Sequence, residues 1–69
     1  MPELYLLATT VTSRLEQAHA GDAIGLIRAK GALATKTGFL VSLITPNDPD
    51  DSDKIARLRE AAKEMGIAV

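Results

Sequence analysis

His19 stands three residues after Glu16 and three before Asp22, and a carboxylate within helical reach of an imidazole is the minimum apparatus for proton transfer near neutral pH. No cysteine, second histidine or suitably spaced serine follows to act as nucleophile, so His19 reads as a helix-end residue beside a dipole-pairing carboxylate. Tyr5, Thr12 and His19 repeat every seven residues along one helix line. A small enzyme would have to build a site shared between subunits from that line, which otherwise marks the border between a buried and a wet face.

Two further patterns touch on chemistry. Lys30 to Thr37 ends in the Lys-Thr of a phosphate-binding loop, whose backbone amides need glycines to approach phosphate, but Lys30 and Thr35 occupy the positions of those glycines. An ordinary helix is the reading we adopt. The acidic run Asp48, Asp50, Asp51 and Asp53 lacks the turn glycine and terminal glutamate of a calcium loop, and helix capping accounts for it more simply. Arg14, Arg28, Lys30 and Lys36 make the middle of the chain mildly basic, a dispersed set with no interleaved aromatic residue. Solvated charges around an apolar interface explain them, with anion or nucleic-acid contact as the alternative. No cofactor and no metal site is expected.

The elements that would carry these residues are helical. Leu4, Leu7, Ala8, Val11, Leu15 and Ala18 share one face at helical spacing, with Pro2 suited to a helix start and Gly21 to its end, which predicts a helix over about 3–20. Asp22 can cap a second helix over about 23–44. Along it Ile24, Ile27, Gly31, Ala34, Gly38 and Val41 recur at alternating steps of three and four, a seam that another helix can approach closely. Leu26, Leu33, Leu40 and Ile44 form a second apolar line about 120° away. Gly25, Gly31 and Gly38 each cost up to about 1 kcal/mol against alanine inside a helix, and such costs need a packing reason. After a turn at about 45–49, Asp48 and Pro49 start a third helix over about 49–65, with Ile55, Leu58, Ala62 and Met65 as its stripe and Gly66 as its cap.

At 69 residues the chain is a single small domain over 1–69 with a thin stability margin, because a domain this size buries only about 60% of its unfolded surface. It has no cysteine and only two aromatic residues, so disulfides are excluded and oligomerisation is the compensation left. Net charge of −1 leaves little repulsion against self-association and no polyanion footprint. Met-Pro-Glu begins no signal peptide and no apolar run is long enough to span a membrane, so a cytoplasmic protein without membrane contact is expected.

The expected fold is therefore all-α, a helical hairpin with a capped C-terminal helix, oligomeric through Ile24, Ile27, Gly31, Ala34, Gly38, Leu40, Val41 and Ile44. The alternative is an α/β chain with strands at 4–12, 39–45 and 67–69 in β-α-β-α-β order. The expected function is an interaction or scaffold module without catalysis, its partner a second copy or a larger protein. A dimeric nucleic-acid-associated regulator, its doubled basic stripe drawn from Arg14, Arg28, Lys30 and Lys36, is the second reading.

Overall fold

Helix α1 (Glu3–Ala18), helix α2 (Ala23–Thr37), a short 3₁₀ turn η1 (Val41–Leu43) and helix α3 (Ser52–Glu64) follow one another in a computed structural model that describes residues 2–69. Among the described residues there is no strand, so the β-α-β-α-β alternative is not supported. Thr9 and Thr10, part of the β-branched cluster that favours a strand over 4–12, sit in α1 with their hydroxyls donating to the carbonyls of Tyr5 and Leu6 at 2.7 and 2.8 Å. Those local bonds let β-branched side chains stay in a helix whose other face is committed to the core.

Helical spacing decides what is buried. Leu4, Ala8, Val11 and Leu15 of α1 face Leu33 of α2, Val41 of η1 and Ile55, Leu58, Ala61 and Ala62 of α3, all in one cluster. The paired alanines let α3 lie close against its neighbours, so a core with few aromatic groups still closes. No helix among the described residues is long and apolar enough to cross a membrane.

Two boundaries correct the expectation. Helix α2 ends at Thr37 rather than near 44, because Gly38 takes the left-handed φ of 83° and its N–H bonds the Ala34 carbonyl at 2.8 Å. That conformation is open to glycine and terminates a helix. The apolar run after it is neither α-helix nor strand and holds only the short 3₁₀ turn η1. Phe39, Val41 and Ile44 fold inward along the connection, and Leu40 and Leu43 point out.

Helix α3 starts at Ser52, not 49, with Asp51 as its cap; its carboxylate accepts the N–H groups of Asp53 and Lys54 at 2.9 and 3.3 Å. The aspartates ahead of it have other tasks. Asp48 closes the expected turn by accepting the Thr45 N–H at 2.9 Å, and Asp50 reaches back to the start of α1, where it accepts the Leu4 N–H at 3.0 Å. Pro2 offers α1 no side-chain cap, so a residue 46 positions away satisfies one of its unpaired donors. Gly66 ends α3 as its position predicts, and the following Ile67 N–H bonds the Ala62 carbonyl at 2.8 Å while its side chain packs on the core.

Candidate interaction face

Helix α2 carries its two apolar lines to different destinations. Leu33 and Thr37 are buried and Leu26 and Ala29 half-buried, so the line containing Leu26 and Leu33 is the one that packs against α1 and α3. The other line lies about 120° around the helix and is mostly exposed, Ile24 at 67% and Ile27 at 70%. Gly31 on the same line is exposed and Ala34 is half-buried. Past the helix end Leu40 and Leu43 are also exposed, at 58% and 67%. A shallow groove of about 160 Å³ runs between Lys30, Gly31 and Ala34 of α2, Leu40 and Ser42 of the connection, and Thr12 of α1.

Not every residue of the predicted seam is on this face. Gly38 is the helix terminator. Val41 is buried and Ile44 half-buried in the core, because the helix that would have kept them in line with Gly31 has already ended. Leu43 is exposed and was not singled out from the sequence; once the chain leaves the helical register, no periodicity assigns it a side.

The three helix-two glycines also separate. At Gly25 a side chain would collide with the Asp22 carboxylate, which caps α2 by accepting the Gly25 N–H at 3.0 Å, and would come within 2.9 Å of His19 Nδ1. At Gly38 the positive φ demands glycine. Gly31 has neither reason, for a β-carbon there would meet no atom within 4 Å. This chain therefore leaves the helix cost of Gly31, about 1 kcal/mol, without an internal return.

The charges divide in the same way. Lys36 reaches α3, with Nζ 3.1 Å from Glu64 Oε2. Arg57 of α3 points Nη1 at the Thr37 carbonyl, 3.5 Å away, where a cation suits the negative end of the α2 dipole. Lys54 lies over the Phe39 ring at 5.6 Å. Arg28 and Lys30, in contrast, enter no ion pair among the described residues. By helical geometry they stand about 80° to either side of the exposed line. No acidic residue occurs within α2. Arg14 is turned away from this set: it follows Thr12, the α1 residue that lines the groove, by two positions and so projects from nearly the opposite side of α1. The four basic residues do not form one stripe on a single copy.

His19 Nδ1 lies 3.5 Å from Asp22 Oδ2, at the turn between α1 and α2. The Gly25 N–H, and then the His19 side chain, hold the Asp22 carboxyl below its ordinary value. The pair therefore serves a helix start. Tyr5 and Thr12 line a second shallow groove against Ser42 and Ile44, away from His19, so the seven-residue line is not gathered into one site. Among the described residues no group of three histidine, aspartate or glutamate side chains can hold a metal ion. A scan against protein-family models finds no match to this chain, and comparison with curated proteins and with solved structures gives none either.

Proposed function

We propose that this chain is a protein–protein interaction module that works by assembly rather than by chemistry of its own, with the exposed line of α2 as its binding element. One observation carries the reading: Ile24 and Ile27, one turn apart on the same line of α2, stand mostly in solvent, as do Leu40 and Leu43 in the connection that follows the helix. Apolar side chains that repeat along one exposed helix line, bordered by charge, mark contact sites in small proteins. A helix of another chain fits the shape, since Gly31 lets a backbone come close and the apolar positions advance at helical spacing. A second copy is the occupant that needs no other protein, although two α2 faces would bring like charges together.

Light scattering after size exclusion, at rising protein concentration and in low and high salt, tests this. Binding of an added amphipathic helix, or self-association that emerges only as concentration and salt rise, is the expected result, and Ile27→Asp abolishes either. A chain that stays monomeric in every condition and also ignores any added helix would sink the reading. Nothing in the arrangement of Arg14, Arg28, Lys30 and Lys36 favours nucleic acid over this account.

A further inference from the structure

Resting on the interaction-module reading, we infer that the partner of the α2 face is an acidic amphipathic helix from a different protein, docked over Gly31 between Arg28 and Lys30. Charge selects this occupant. Both flanking residues are cations that enter no ion pair among the described residues, and α2 contributes no acid to offset them. In a symmetric pair of α2 helices the rims would set Arg28 and Lys30 of one copy against the same cations of the other, and like charges across an interface cost affinity. A helix with leucine-like residues at steps of three and four and glutamate beside them meets the same apolar line and turns both rims into attractions. From Ile24 to Ala34 the line is about 15 Å long, so roughly three turns of the partner are in contact. Gly31, with open space where its β-carbon would be, sits about two thirds of the way along that span and sets the distance of approach.

Two designed fluorescent peptides of about three heptads test it, identical at their leucine positions and carrying either glutamate or lysine at the flanking positions, titrated with the full chain and read by anisotropy. At low salt the glutamate peptide is expected to bind about tenfold more tightly than the lysine peptide, with the gap shrinking in 1 M salt where the Debye length falls to about 3 Å. The R28E/K30E variant reverses the preference, Ile27→Asp abolishes binding of both peptides, and Gly31→Leu weakens the glutamate peptide while circular dichroism shows the helices intact. Equal binding of both peptides overturns the acidic partner and leaves the module reading standing. A stable dimer at low salt that excludes the glutamate peptide also overturns it, in favour of a second copy. Failure of both peptides, together with a monomer at every salt concentration, removes the module reading itself.

Discussion

Helices α2 and α3 differ by two residues in length, yet they spend their apolar residues differently. In α3 Ile55, Leu58, Ala61 and Ala62 are all buried, while its charged residues face out or reach across to other helices, as in the 2.9 Å pair of Arg59 with Glu3. Helix α2 buries only Leu33 and Thr37 fully and leaves two isoleucines in solvent. An ordinary amphipathic helix has one apolar stripe and one wet face. Helix α3 fits that description, whereas α2 has a stripe that folding buries and a second that folding leaves mostly exposed. A residue type that has no role in its own fold is the part of a sequence most open to explanation by a partner.

The sharpest way to break this contrast is to remove matched side chains from the two helices. Leu58 is 0% exposed, and Leu58→Ala is expected to cost about 2–5 kcal/mol. A core this small supplies about 3–5 kcal/mol in total, so the variant should be largely unfolded. Ile27→Ala should change stability by no more than about 0.5 kcal/mol. Urea unfolding followed by circular dichroism measures both, and a comparable loss at the two sites would erase the distinction. Next in size is Thr37→Val. The Thr37 hydroxyl, buried at the end of α2, has the carbonyls of Leu33 and Phe39 at 2.9 Å as acceptors and is the acceptor for the Phe39 N–H at 3.4 Å. Valine keeps the shape and removes these bonds, for an expected loss of about 1–3 kcal/mol. An unchanged urea midpoint would mean that the hydroxyl contributes little to ending the helix.

Much of this contrast was legible in the residues. The stripe of α3 and its Gly66 cap, the buried face of α1 and the Asp22 cap follow from local spacing, and local spacing is what a helix obeys. The existence of two apolar lines on α2 was legible as well; their destinations were not, since periodicity places residues on faces without saying which face meets the core. Gly38 continued the seam by its spacing and ended the helix by its conformation, and the same letter supports both readings. Asp50 was beyond local reasoning altogether. Its bond to Leu4 spans the chain, and within the aspartate run nothing distinguishes it from Asp48 or Asp51.

Gly25 and Gly31 allow a finer test inside α2, because alanine relieves the helix cost of glycine at both but meets different surroundings. At Gly31 the added methyl faces open space, so Gly31→Ala should raise stability by about 0.5–1 kcal/mol. At Gly25 it displaces the capping Asp22 carboxylate, so the same substitution should give no gain or a loss. A Gly31→Ala chain that is less stable than its parent would mean that something in the chain already packs there.

The smallest expected effect concerns how α1 is held to the rest. The backbone N–H of Leu4, then that of Glu3, keeps the Asp50 carboxyl below its ordinary value, so the folded chain prefers the ionised form more than the unfolded chain does. The stabilisation is complete above the unfolded pKa of about 3.9 and is lost as the pH falls through and below that value. Asp50→Asn keeps an oxygen that can accept the Leu4 N–H but cannot titrate. The variant should be slightly less stable than its parent near neutral pH, and the difference should narrow as the pH is lowered from about 5 towards 2. Because α3 follows Asp51 directly, this one carboxylate links the start of α1 to the entry of the helix against which α1 packs. A parent and variant with parallel acid-unfolding curves would show that packing alone sets that register.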